Sequence, residues 1–447
     1  MVALEATAAV PPMSEAEHQK ALRRAVVAST VGTTIEWYDF LIYSTVTGLV
    51  FGKVYFPGDD PMVSTLQAFG VYFIGFVARP IGAAIFGHYG DRIGRKATLI
   101  VTLLMTGIAT AAVGLVPGYD TIGIWGAVIL TVLRLIQGIG VGGEWGGSVL
   151  LAMEWAGTNK NRGFIASWPQ FGAPAGLFLA NVMVLLFSWI SGDQFLAWGW
   201  RIPFLLSIIM VGIGLWIRLG ILETPVFQRI LAENKVERAP TLEVLKRQPR
   251  EVILTALLRM AEQTPGYVFN AFVFSYGTLV LGASRDLLLW GLIVTTALGF
   301  ITAPIAGAVS DRIGRRKMYI IGCVTVAVYI FVYFALLDTK VPSLIFLGVS
   351  LSFIPVMMMY GPEAALIAEA FTPRLRYSGA SIGYQLASII AGGPAPFIAT
   401  WLFATYNSTI PIGIYICICA VISITATLLL PDYTNKDIAL EHQYGNV

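Results

Sequence analysis

Charged residues are scarce: 12% of the 447 residues are Asp, Glu, Lys or Arg, whereas a soluble globular chain carries roughly a quarter. That shortage excludes a water-soluble domain. The net charge of +3 asks for no nucleic-acid partner, because the basic residues are placed as topology signals. Cysteine is nearly absent too, with three residues at 323, 417 and 419. All three fall inside predicted helices, which excludes a disulfide framework and a thiolate metal site. His18, His88 and His442 share no metal-ligand spacing, so neither a metal nor another cofactor is expected. No nucleophile or phosphate-loop constellation appears, and the chain is not read as an enzyme. The first twenty residues have no basic region followed by an apolar core, so no cleavable signal peptide is expected.

Apolar residues, by contrast, make up 56% of the chain. They form runs of about 20 residues, long enough at ~1.5 Å per residue to cross a hydrocarbon core ~30 Å thick. Twelve such runs are read: 24–50, 64–90, 97–116, 121–152, 163–190, 201–220, 251–282, 287–309, 318–337, 342–370, 377–403 and 410–430. The fold class expected is therefore an all-α integral membrane protein of twelve transmembrane helices. With the N-terminus in the cytoplasm, 22 of the 29 Lys and Arg residues fall on the cytoplasmic side. The positive-inside rule then places both termini there.

A short basic loop occurs twice. Gly-His-Tyr-Gly-Asp-Arg-Ile-Gly-Arg-Lys at 87–96 returns as Gly-Ala-Val-Ser-Asp-Arg-Ile-Gly-Arg-Arg-Lys at 307–317, an offset of 220 residues between Asp91 and Asp311. A loop recurring at the half-way mark implies two similar halves. Gly143-Glu144, Arg162-Gly163 and Gln170 are similarly echoed by Pro362-Glu363, Arg376 through Gly379, and Gln385. The division expected is a cytoplasmic tail at 1–23, a six-helix bundle at 24–220, a polar linker at 221–250, a second bundle at 251–430 and a cytoplasmic tail at 431–447. The linker, punctuated by Pro225 and Pro240, is expected to form an amphipathic surface helix with flexible ends.

Charge inside the runs marks the candidate site, because ionisable groups at mid-membrane are costly and face the bundle interior. Glu36 and Asp39 lie on roughly one face of the first helix, with Tyr43 continuing it. Both are read as proton-coupling residues, together with Glu144 in the fourth helix, for which a gate role is an equal alternative. Arg134 in the fourth helix needs an anion, which is either a helix-one carboxylate or a substrate. Arg259 in the seventh helix is the matching candidate for holding an anionic substrate, with Glu262 three residues away and able to neutralise it. Gln137, Tyr43, Gln263, Tyr267 and Asn270 complete the substrate set, with Gln170, Tyr384 and Gln385 from the fifth and eleventh helices. Arg79 is ranked lower, as close enough to the helix end to snorkel. Gly138, Gly142 and Gly146 recur every fourth residue and allow close helix packing. Pro169 and Pro174 in the fifth helix, and Pro394 and Pro396 in the eleventh, predict kinks.

The repeated loop, with Gly87, Asp91, Arg92, Gly94, Arg95 and Lys96, resembles the signature loop between helices two and three of the major facilitator superfamily. Its second copy holds Asp311, Arg312, Gly314, Arg315 and Arg316. Over the whole chain, Glu36-Trp37-Tyr38-Asp39-Phe40, Ala78-Arg79-Pro80-Ile81-Gly82, Gly142-Gly143-Glu144-Trp145 and Trp198 through Phe204 are similar to the metabolite:proton symporter branch of that superfamily. The resemblance implies two pseudo-symmetric six-helix halves, with the signature loops as conformational latches. It also implies a monomer in the bacterial inner membrane that takes up a small organic anion with protons. The alternatives are uptake of a zwitterion of the proline or betaine type, and drug or metabolite export by proton antiport.

Overall fold

The structure, a computed structural model, describes residues 15–93, 95–156, 161–219, 240–372 and 375–434. Within them the first half contains α1 (Glu15–Val46), α2 (Pro61–Ile93), α3 (Arg95–Leu115), α4 (Trp125–Ala156), α5 (Arg162–Ser191) and α6 (Arg201–Leu219). The second half contains α7 (residues 249–280), α8 (Arg285–Ile313), α9 (Arg315–Asp338), α10 (Pro342–Glu369), α11 (Arg376–Tyr406) and α12 (Ile410–Leu429). Ten of the twelve are long and apolar enough to cross a membrane by length and composition alone. The exceptions are α1 and α7, which carry four of the charged residues that the sequence singles out, Glu36 and Asp39 on α1 and Arg259 and Glu262 on α7. Large apolar side chains on the outer surface, among them Trp216, Ile301 and Val328, are exposed, as a lipid-facing belt requires.

α1 begins at Glu15, nine residues before the predicted start. Residues 15–23 are mostly Ala, Glu, Gln, Lys, Leu and Arg, strong helix formers that extend the helix beyond the apolar run. Of the linker, Pro240–Arg247 is a short helix with Glu243 and Arg247 paired at 2.8 Å; the predicted amphipathic segment before it lies outside the described residues. α5 runs unbroken through Pro169 and Pro174. α11 instead opens into a wider π-type turn at Ser388–Gly392, directly before Pro394, which accommodates the proline ring. α7 is the least regular helix. Its α-helical hydrogen bonding lapses at Arg259 and gives way to π-type turns at Val268–Phe272 and Tyr276–Val280.

Within the first half, α2 and α4 cross at backbone distance. A β-carbon on Gly138 would lie 2.0 Å from the Gly75 carbonyl oxygen, one on Gly142 would lie 1.9 Å from that of Arg79, and one on Gly82 would lie 1.9 Å from that of Ile139. No other residue fits these positions. Gly146, the third glycine of the series, faces Ser381 of α11 instead. The halves meet where α5 packs on α8 and α10, and where α2 and α4 pack on α11.

Candidate functional site

α1 brings both of its acids into the interior. Asp39 is fully buried and its two carboxylate oxygens have no hydrogen-bond partner. It points into the first bundle beside Gly107 of α3 and faces Ser207 of α6 without completing a bond to it. Glu36, 4% exposed, has no ion-pair partner among the described residues. It lies within electrostatic reach of Arg218, Arg79 and Asp39. Glu144 is paired with Arg218, whose guanidinium packs over Gly32 and donates to the Leu99 carbonyl, tying α1, α3, α4 and α6 together.

Arg134 on α4 has no carboxylate partner among the described residues. Its guanidinium lies 4.0 Å from the ring centroid of Phe40, 4.3 Å from that of Tyr43 and 4.7 Å from that of Tyr72. One nitrogen donates to Gln137 Oε1 at 3.1 Å, and Gln137 in turn donates to Thr110 at 2.8 Å. Nε and Nη2 of Arg134 have no acceptor, and the hydroxyls of Tyr43, Tyr72 and Tyr267 are also unpartnered. Arg79 is likewise 1% exposed and without a carboxylate. It lies 4.6 Å from the Phe40 ring and donates to Ser388 of α11 at 3.3 Å, while its Nε is left without an acceptor. Aromatic faces stabilise these two cations but satisfy none of their N–H groups.

In the second half the charges are joined. Arg259, at the break in α7, donates from Nε to Glu363 of α10 at 2.6 Å and from Nη2 to Glu262 at 3.1 Å. Its third donor bonds the Tyr384 carbonyl at 2.7 Å, and the Tyr384 ring covers it at 3.2 Å. Gln263 adds a further acceptor once its amide is oriented to match.

Between the halves lies a small cavity of about 40 Å³, walled by Trp37, Leu41, Pro174, Tyr267, Phe353 and Tyr360, among others. Its polar lining comes chiefly from α7, through Glu262, Gln263, Tyr267 and Asn270. Asn270 also donates to Ser44 of α1 at 3.1 Å, closing one side. Toward the signature loops the halves are joined by Trp145 stacked on Tyr384 at 3.7 Å, and by Gln170, which accepts from Trp145 Nε1 at 2.9 Å and donates to the Tyr360 carbonyl at 3.2 Å. Gln385 donates to the Gly142 carbonyl at 3.4 Å. Beyond these, Asp311 accepts from the backbone N–H groups of Gly163 and Phe164, at 2.9 and 3.0 Å, in the first turn of α5. Those are orphan donors at the positive end of a helix dipole. Arg315 bonds Asp311 at 2.9 Å and Glu369 at 2.8 Å, and Glu369 also pairs with Arg162 at 3.4 Å. Gly314 adopts φ of +99°, a left-handed conformation that favours glycine, and so turns α8 into α9.

The sequence-chosen residues thus fall into separate clusters. Arg134, Gln137 and Tyr43 share one with Arg79; Arg259, Glu262, Gln263 and Tyr384 form another. The two arginines expected to act together are not in contact. A helix-one acid as Arg134's partner is not seen. Gln170 and Gln385 bridge the halves instead of lining this cavity. Arg79 does not snorkel: it is buried between the halves, because Ser388 and the aromatic rings hold it there. Arg218, at the cytoplasmic end expected for α6, is 3% exposed and ion-paired. Of the second latch, Arg312 is exposed, while Arg316 donates to the Thr427 and Leu428 carbonyls at the end of α12. In the first latch Gly87 approaches Ser378 of α11; the side chains of Asp91, Arg92, Arg95 and Lys96, and all of Gly94, lie outside the described residues. Glu363, Glu369 and Arg162 were not singled out for chemistry, although a lone acid in an apolar run was the available signal.

The chain matches the sequence pattern of the family described as "Sugar (and other) transporter" over residues 24–250, and that of "MFS/sugar transport protein" over 147–379. It is 41% identical to the inner membrane metabolite transport protein YhjE of Escherichia coli (strain K12), covering 93% of this chain and 95% of that protein. It is 40% identical to the shikimate transporter of the same organism, covering 92% and 94%. With the proline/betaine transporter of that strain the identity is 32%, covering 93% and 85%. Among solved structures, the proton:xylose symporter XylE bound to 6-bromo-6-deoxy-D-glucose aligns with a TM-score of 0.75 at 19% identity, covering 96% of this chain and all of that one.

Proposed function

The chain belongs to the major facilitator superfamily of membrane transporters, and from that premise we propose that it takes up a small organic anion together with protons. Transport proceeds by alternating access, in a monomer of the inner membrane with both termini in the cytoplasm.

One observation carries the reading: among the described residues, Arg79 and Arg134 are buried without a carboxylate, while Glu36 and Asp39 are buried without a cation bonded to them. An uncompensated buried charge costs several kcal/mol. With the α1 acids ionised, two negative charges balance two positive ones at a distance. Once Asp39 and Glu36 are protonated, the two guanidiniums are left in excess, and a carboxylate solute removes the imbalance. The unpartnered Nε and Nη2 of Arg134 offer the fork that a carboxylate accepts. The hydroxyls of Tyr43, Tyr72 and Tyr267 are free to bond the rest of the solute. Proton and anion therefore bind favourably together, which is the thermodynamic content of symport. Glu144 and Arg218 hold the first bundle, and Asp311 with its partners is the latch that must open.

A second reading has one observation in its favour. The cavity is walled by Trp37, Tyr267, Phe353 and Tyr360 with Glu262 beside them, a surface suited to a quaternary ammonium. It predicts uptake of a betaine-like zwitterion. Both readings are tested by uptake into proteoliposomes with an alkaline interior, using labelled shikimate, other aromatic acids, α-ketoglutarate, citrate and betaine. Accumulation of one acid that collapses with a proton ionophore supports the first reading. Accumulation of betaine alone supports the second, and uptake of none of them contradicts both.

A further inference from the structure

We propose that Arg259, Glu262 and Glu363 form a second proton-binding site, in the half opposite the α1 acids, which opens on the central cavity through Glu262 and holds one proton at neutral pH.

The argument starts from charge and geometry. Two carboxyl groups touch one guanidinium, Glu363 at 2.6 Å and Glu262 at 3.1 Å. With both ionised, the cluster carries a net negative charge, and Arg259 and Glu363 are fully buried. Glu363 spends only Oε1 on Arg259; its Oε2 has no hydrogen-bond partner. Two carboxylates sharing one cation in a dry setting destabilise each other, and a single proton removes the repulsion. The unpartnered Oε2 is the atom on which that proton can reside without breaking an existing bond.

Among the described residues, the surroundings supply no competing charge in contact. From α9, Tyr319 donates its hydroxyl to the Leu258 carbonyl at 2.7 Å, and Cys323 is buried behind it. From α10 and α11, the Tyr360 and Tyr384 hydroxyls lie 3.2 Å apart. α12 contributes Ser423, bonded to Ala261 N at 2.8 Å, and Cys419 beside Thr264. Arg79 of α2 acts on Glu262 electrostatically but makes no ion pair with it. The path for the proton is short, because Glu262 lines the cavity and Arg259 bridges it to Glu363.

The first half is built differently. Glu144 is the counterpart of Glu363 in the repeat, yet it is matched singly to Arg218. The two halves therefore hold unlike charge inventories behind similar helices. In a symporter, a neutral second cluster would let an anion enter the cavity without facing a negative wall. That use rests on the reading above, whereas the bound proton itself does not.

Infrared spectroscopy of the full-length protein in lipid at neutral pH, in H2O and D2O without solute, tests the site. In Glu363→Gln, a carboxylic-acid C=O band that shifts in D2O should vanish while carboxylate absorbance is unchanged, since Glu262 alone then neutralises Arg259. Glu262→Gln should remove an acid band in the same way, and serves if the first variant does not fold. Loss of carboxylate absorbance with every acid band intact would overturn the proposal. Failure of the transport reading would leave the infrared result untouched, so the two can be told apart.

Discussion

Replacing Asp311 by Asn removes the charge that holds the first turn of α5. In the folded protein Asp311 accepts two backbone N–H bonds, from Gly163 at 2.9 Å and Phe164 at 3.0 Å, and a third bond from Arg315 at 2.9 Å. The contact is largely shielded, with the Asp311 side chain 7% exposed and that of Arg315 2%. Asn keeps one accepting oxygen but turns an N–H₂ group toward the other donor. The variant therefore loses one charge-assisted hydrogen bond outright, along with its interaction with the helix dipole. These amount to about 3 kcal/mol, or roughly a hundredfold in an equilibrium. Because the two backbone bonds cross between the halves, the loss falls on the state closed at the signature loops. The assay is maleimide labelling of Ser167→Cys, with Cys323, Cys417 and Cys419 changed to Ala. Ser167 is fully buried on α5, one turn beyond the contact, against Gly307 of α8. Its labelling rate follows the fraction of molecules open at that end. The Asp311→Asn variant should label tens of times faster, approaching a hundredfold if the open state stays minor. An unchanged or slower rate would refute the latch assignment and the energy attached to it.

Three further outcomes follow from the same geometry. Arg134→Lys keeps the charge but loses the planar fork, so the KM for a transported carboxylate should rise about tenfold or more; an unchanged KM in proteoliposome uptake would remove Arg134 from the binding site. Asp39→Asn should abolish proton-driven accumulation while sparing solute exchange, and full accumulation by the variant would exclude Asp39 as the proton carrier. Gly142→Ala places a methyl group 1.9 Å from the Arg79 carbonyl oxygen, and separating α2 from α4 should cost about 1–3 kcal/mol. A fall in melting temperature checks this, and an unaltered melt would contradict the close crossing.

The twelve helices were legible because a bilayer imposes one length and one composition on every span, and each predicted run coincides with a helix. Their ends were less so: α1 extends back to Glu15 because helix propensity, not apolarity, sets that boundary. Glu36, Asp39, Arg134 and Arg259 stood out because a charge at mid-membrane is conspicuous in sequence. What sequence could not supply was pairing. Arg259 and Glu363 are 104 residues apart in the chain, and although Glu262 stands three residues from Arg259, nothing local reveals that a second carboxylate shares its guanidinium. The burial of Arg79 is hidden from the sequence for a related reason. Depth along a helix suggested an escape to water, but the aromatic rings of Trp37, Phe40 and Phe76 and the Ser388 hydroxyl enclose it. Gln170 and Gln385 were recognised as repeat partners, and the structure gives them corresponding tasks across the interface between the halves.

The central claim is that an anion and protons move in the same direction, and proton flux tests it most directly. Proteoliposomes with no imposed gradient are suspended in weak buffer, and the pH of the medium is followed after adding the carboxylate that the uptake panel identifies. The account predicts that the medium turns alkaline with the wild-type protein and that the Asp39→Asn variant gives no signal. Acidification, the mark of antiport, or solute uptake without any change of pH, would contradict it.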